Sequence, residues 1–141
     1  MFRTSLNHYR IAMLVLRVIV GIVFFMHGYQ KIKMGHAGVT GFFTQLGAPL
    51  PPISAALIML LETAGAVALV FGFLTRIVGS AFVLDMLGAI FLVHISKGFS
   101  VGDGGYEFVL VLAACAAALA IAGPGAASID DQIARRRNPN P

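Results

Sequence analysis

Four apolar runs dominate this chain, and each is close to the length that crosses a lipid bilayer. They occupy residues 11–34, 53–74, 76–97 and 106–123. A helix rises about 1.5 Å per residue, so a hydrocarbon core of about 30 Å takes about 20 residues. The runs are continuous rather than alternating with period 2, which argues against a membrane β-barrel. Composition agrees: of 141 residues, 58% are hydrophobic and 11% charged, against about 45–50% and about 25% in soluble domains. A soluble monomer this short would need much more polar surface. The sequence therefore predicts an all-α fold, a transmembrane four-helix bundle forming one domain over residues 1–141 in the lipid bilayer.

Four spans put both termini on one side. That side carries Arg3, Arg10, Arg76, Arg135, Arg136 and Arg137, and the opposite side Lys31, Lys33 and Lys97. The excess of basic residues marks the cytoplasmic face, so both termini are expected in the cytoplasm. The net charge of +4 reads as this topological bias rather than as nucleic-acid binding. The first run is preceded by basic residues, as a cleaved leader would be. It is long, however, holds Arg17, and has no small-x-small exit. Cys115 is the single cysteine, so neither an intrachain disulfide nor a C-x-x-C redox pair exists.

The connections differ. Thr75 is nearly the whole joint between the second and third runs, which implies a tight antiparallel hairpin. Residues 35–52 read as a long loop containing Phe42, Phe43, Leu46 and Pro49, with Thr40 as cap of a short interfacial helix ending at Gly47. Residues 98–105, GFSVGDGG, read as a glycine-rich turn in which Asp103 is a cap or turn residue. The basic tail is expected to lose order from about Arg135. Gly21 and Gly28 are seven apart, as are Gly65, Gly72 and Gly79. That spacing suggests small-residue faces where helices approach closely.

Ionisable residues inside spans carry the most information, because a charge in the bilayer costs roughly 2.5–3.5 kcal/mol on insertion scales and usually faces the bundle interior. With midpoints near Ile22, Thr63 and Met86, two groups emerge. Arg17, Glu62 and Asp85 lie toward the middle and inner side; His27, Gln30, Lys31, His94 and Glu107 lie toward the outer side. Arg17 with Glu62 or Asp85 reads as a structural ion pair fixing helix register. At about 100° per residue, Arg17, Phe24, His27 and Lys31 share a sector of about 80° on the first helix. The same arithmetic sets Asp85 and His94 about 180° apart, which counts against one shared site.

Bland readings stand beside the functional ones. His27 suits either a packing hydrogen bond or a ligand contact. His94 and Lys97 suit an interfacial position. Glu107 at a helix start is favoured by the helix dipole. The functional reading is a quinone-type pocket, which needs an apolar slot and hydrogen-bonding groups for the two ring oxygens. His27, Gln30 and Lys31 with Glu62 or Glu107, lined by Phe24, Phe25, Phe42 and Phe43, would supply it. Bis-histidine haem ligation by His27 and His94 is the weaker alternative, since nothing fixes their facing. No metal-ligand spacing, nucleophile motif, phosphate loop or dinucleotide fingerprint is present.

The same residues sit in strings that resemble a known family. RVIVGIVFFMHGYQKI at residues 17–32, GFFTQLGAPLP at 41–51, LETAGAVALVFGFLTR at 61–76, GGYEF at 104–108 and the GPGAASID ending at Asp130 are similar, in order, to the DoxX family of small bacterial membrane proteins. The resemblance implies a four-helix bundle in the bacterial plasma (inner) membrane. It also implies association with quinone-linked or thiol-linked membrane oxidoreductases, hence oxidoreductase partner proteins. The matching positions are Arg17, His27, Gly28, Lys31, Glu62, Gly65, Gly105 and Glu107. The chain departs from the family tail in having Ala126 and Ala127 where a basic residue often precedes Ser-x-Asp. The expected function is a quinone-interacting or electron-transfer accessory subunit. A non-catalytic scaffold recruiting partner enzymes through the 35–52 loop is the alternative. A transporter would require a homo-oligomer.

Overall fold

The structure, a computed structural model, describes residues 6–137. Arg3 and the last four residues lie outside the described residues, and with them part of the topology count. All regular structure among the described residues is helical. We number the helices α1 (Leu6–Gln45), α2 (Pro51–Phe71), α3 (Thr75–Lys97), α4 (Glu107–Ala122) and α5 (Ile129–Arg137). The first three are long and apolar enough to cross a bilayer, whereas α4 is apolar but has 16 residues. Only 22–28% of the apolar windows of α1–α3 is buried inside the bundle. Side chains such as Ile19, Leu57 and Ile121 point outward. Such a surface would associate or precipitate in water, and it suits acyl chains.

Helix α1 is longer than the apolar run indicated and is two helical stretches joined at Gly35, where φ is 78° and ψ 156°. Glycine reaches that conformation at little steric cost. The segment read from sequence as a loop is thus helical from residue 36 to 45. Thr40 does not cap it. Thr40 lies within the helix, and its carbonyl accepts the Thr44 hydroxyl at 2.8 Å. The segment ends at Gly47 (φ 70°), with Ala48 N–H donating to the Phe43 carbonyl at 3.0 Å. His36 Nε2 lies 2.8 Å from the Pro52 carbonyl, tying the kinked end of α1 to the start of α2.

Helices α1 and α2 run antiparallel in a register set by glycine. A Cβ at Gly28 would lie 2.5 Å from the Glu62 carbonyl oxygen, and one at Gly21 would lie 3.1 Å from that of Ala66. Bare backbone at both positions lets the helices approach closely. The second series is different: Gly65, Gly72 and Gly79 share no face. Gly72 ends α2 in the left-handed region (φ 67°), and Gly79 lies in α3, against the Ala116 carbonyl and Ala120 of α4. The joint between α2 and α3 is three residues, Gly72 to Leu74, rather than Thr75. At the centre Phe24 stacks on Phe82 with ring centroids 3.7 Å apart and planes 13° apart. Val20, Leu69, Leu112, Ala116 and Leu119 fill the rest of this core.

The tail is ordered further than its composition suggests, since α5 carries Arg135, Arg136 and Arg137 in its last turn. Asp130 holds it in place. Its two carboxylate oxygens accept from the N–H groups of Leu74 and Thr75 at 2.8 and 2.9 Å, capping the start of α3. These donors have no partner within the helix, and a carboxylate there also suits the helix dipole. Arg10 pairs with Asp131 at 2.5 Å.

Candidate functional site

Arg17 departs most from the sequence reading. It is 1% exposed, yet it pairs with neither Glu62 nor Asp85. Its guanidinium donates to the carbonyls of Val70 (3.2 Å), Pro124 (2.5 Å), Ala126 (2.9 Å) and Ala127 (2.7 Å). Register explains the difference. Gly28 lies opposite Glu62 and Gly21 opposite Ala66, so Arg17 falls level with the last turn of α2, beyond reach of Glu62. It meets the GPGAAS segment there, where the planar fork of donors suits several carbonyls at once.

Glu62 takes a different cation. Lys31 Nζ lies 2.5 Å from Glu62 Oε2; the Glu62 side chain is 4% exposed and that of Lys31 22%. Both project into a cavity of about 550 Å³ that lies between α1, α2, α3 and α4. That is within the range of small-molecule sites, roughly 300–1,000 Å³. Its polar groups are His27, Lys31, Ser54, Glu62, Asp85 and His94, and the rest of its wall is mainly apolar, including Ile58, Leu84, Leu92 and Phe108. Phe42, Phe43, Leu46 and Pro49, from the segment beyond the Gly35 kink, close one side.

Two π-helical turns shape this cavity, at Leu61–Gly65 in α2 and Ile90–His94 in α3. Each widens the helix locally, and such turns are frequent at functional sites. The second corrects the phase argument that separated Asp85 from His94. One extra residue in the turn brings their separation from about 180° to about 80°, and both line the one cavity. His94 Nδ1 is 2.7 Å from the Gly104 carbonyl, which ties α3 to the glycine-rich turn.

Four expected contacts fall elsewhere. Phe24 belongs to the core, stacked on Phe82. Gln30 is exposed on the outer face of α1. Glu107 closes the glycine-rich turn, accepting from the Val101 N–H at 2.6 Å while its own N–H donates to the Phe99 carbonyl at 2.9 Å. Phe25 also points away from the cavity and is 41% exposed. Conversely, the sequence reading did not place Ser54, Ile58, Leu92 or Phe108 at the site. Ser54, two residues into the span after Pro52, was the one polar signal among them. Among the described residues, no group of three or more His, Cys, Asp or Glu side chains is placed to hold a metal ion.

A helical membrane protein with a charged pair facing a mainly apolar cavity is the class this geometry defines. Residues 12–95 match the model of the DoxX family, and the chain belongs to that family. It is 40% identical to a Bacillus subtilis protein named "Putative oxidoreductase CatD", over 74% of this chain and 75% of the relative. It is 32% identical to the Escherichia coli inner membrane protein YphA, over 85% of this chain and 89% of the relative. It is 35% identical to the Escherichia coli inner membrane protein YqjF, over 85% and 90%. No solved structure matches the chain.

Proposed function

We propose that the cavity binds the head group of a quinone, and that the chain serves a membrane-associated oxidoreductase complex as a quinone-interacting or electron-transfer accessory subunit. The observation that carries this reading is the pairing of Lys31 with Glu62 at the wall of a 550 Å³ apolar cavity that also holds His27 and His94. Lys31 has three N–H donors and spends one on Glu62, leaving donors for a ring oxygen. The two histidines each offer a ring nitrogen from a different helix. The apolar wall suits a ring and an isoprenoid or alkyl tail. The relative named as an oxidoreductase supports this direction. In the bacterial plasma membrane α4 serves as the fourth crossing and both termini face the cytoplasm.

The scaffold reading draws on Leu50 and Ile53, which stay 68% and 56% exposed at the junction of α1 and α2. Titration of an alkyl-benzoquinone into purified protein by calorimetry separates the two. Saturable binding weakened about tenfold, or about 1.4 kcal/mol, in Lys31→Ala and His27→Ala is expected. No binding, or binding unchanged in both variants, would overturn the quinone reading. Partner co-purification lost on changing Leu50 and Ile53, but kept in Lys31→Ala, would then favour the scaffold.

A further inference from the structure

The quinone reading leaves one group at the cavity wall without a task. Asp85 Oδ2 is buried and has no hydrogen-bond partner among the described residues. Glu62, which also shares a side-chain hydrogen bond with the Asp85 carboxyl, and Lys31 act on it, and Lys31 is already engaged by Glu62, so Oδ2 is the Asp85 oxygen left open. Two carboxyl groups thus share one ammonium at membrane depth. A buried acceptor without a donor costs free energy until something supplies one. Asp85 lines the cavity from α3, whereas Lys31 and Glu62 line it from α1 and α2.

We infer that Asp85 is a ligand-contacting residue that accepts a hydrogen bond from a hydroxyl of the bound ring, so that the site prefers a hydroquinone to the matching quinone. This inference rests on the quinone reading above and sharpens it to a redox form. The chemistry is that of complementary ends. One ring oxygen accepts from the remaining N–H groups of Lys31, and the other donates to Asp85. A hydroquinone satisfies both ends, because each hydroxyl donates and accepts. A quinone offers two acceptors and leaves Asp85 Oδ2 without a donor. A site built to bond a hydroxyl discriminates strongly against the analogue that lacks it, since its own polar group stays unpaired.

The test compares a short-chain alkyl-hydroquinone with its oxidised benzoquinone partner, titrated anaerobically into purified full-length protein. The wild type is expected to bind the hydroquinone about tenfold more tightly. Asp85→Asn keeps the shape and adds an amide donor suited to a carbonyl, so the preference should vanish or invert. Equal affinity for both forms in the wild type overturns the inference and leaves the quinone reading standing; so does a preference unchanged in Asp85→Asn. Failure of both forms to bind overturns the two together. A second measurement needs no variant: carbodiimide labelling of wild-type protein, read at the Asp85 peptide by mass spectrometry. The hydroquinone should slow that labelling more than the benzoquinone does, and equal protection overturns the inference.

Discussion

Arg17 and Ala127 stand 110 positions apart in the chain, and the guanidinium Nη2 of the first donates to the carbonyl of the second at 2.7 Å. With the bonds to Pro124 and Ala126, this makes Arg17 the fastening point of the segment that follows α4. Asp130, three residues beyond Ala127, continues the fastening by capping α3. One end of the bundle is therefore closed by main-chain carbonyls around a cation. Its mainly apolar cavity, with Lys31 and Glu62 in the wall, lies farther along α1.

Loss of this fastening should cost stability rather than ligand binding. Hydrogen bonds to charged groups contribute about 1.5–3 kcal/mol each, so Arg17→Gln should lower stability by about 3 kcal/mol or more. Arg17→Lys keeps the charge but not the fork, and should fall between. Thermal unfolding in detergent measures the loss. Limited trypsin digestion at Arg135–Arg137 should quicken in parallel.

Asp130→Ala removes the cap of α3 and a negative charge that acts on Arg17, but none of the hydrogen bonds of Arg17. Caps of this kind contribute about 1 kcal/mol. The same unfolding assay should show that smaller loss, and Asp130→Asn should recover part of it.

Gly28 and Gly21 should differ in tolerance. A methyl at Gly28 meets the Glu62 backbone, 2.5 Å from its carbonyl oxygen, whereas one at Gly21 first meets the Val70 Cγ2 methyl at the same distance. A side-chain methyl moves more readily than a helix backbone. Gly28→Ala should therefore cost about 1–3 kcal/mol and weaken ligand binding through displacement of Glu62. Gly21→Ala should cost less and leave binding near wild type. Paired unfolding and binding measurements on both variants check this.

The Lys31–Glu62 pair should behave as a buried ion pair. Removing one partner strands a charge, at a cost of about 3–5 kcal/mol. Lys31→Met or Glu62→Gln alone should show that loss, and the double variant should regain much of it. Unfolding of the four proteins of the cycle gives the coupling energy.

Topology follows from the basic residues. A reporter fused after Pro141 should behave as cytoplasmic, and one inserted at Gly102 as external. The reverse pattern would place the cavity toward the cytoplasm.

The three long apolar helices were legible because hydropathy accumulates over about 20 residues, and no single residue decides it. The small-residue contact of α1 was legible from Gly21 and Gly28, since seven residues return to nearly the same face. Register was not. It depends on which residue of α2 meets Gly28, and apolar runs do not mark helix ends; α1 begins at Leu6 and continues past Gly35. Midpoints taken from the runs therefore set Arg17 too close to Glu62 and Lys31 too far from it. The partners of Arg17 were hidden for another reason: they are main-chain carbonyls, which every sequence contains. The π turns at Leu61–Gly65 and Ile90–His94 leave no compositional mark, so the phase of His94 against Asp85 could not be read. Glu107 looked available as a carboxylate at a helix start, but the backbone of its own turn claims it.

Photolabelling tests the cavity most directly. An azido-alkylbenzoquinone, reduced or oxidised, is irradiated with the purified protein, and the labelled peptides are identified by mass spectrometry. Adducts should cluster on the cavity wall, at Phe42–Pro49, Ile58 and Leu92, and excess unlabelled ligand should abolish them. Adducts confined to lipid-facing positions such as Ile19, Leu57 and Ile121, unaffected by competitor, would contradict a binding site at Lys31 and Glu62.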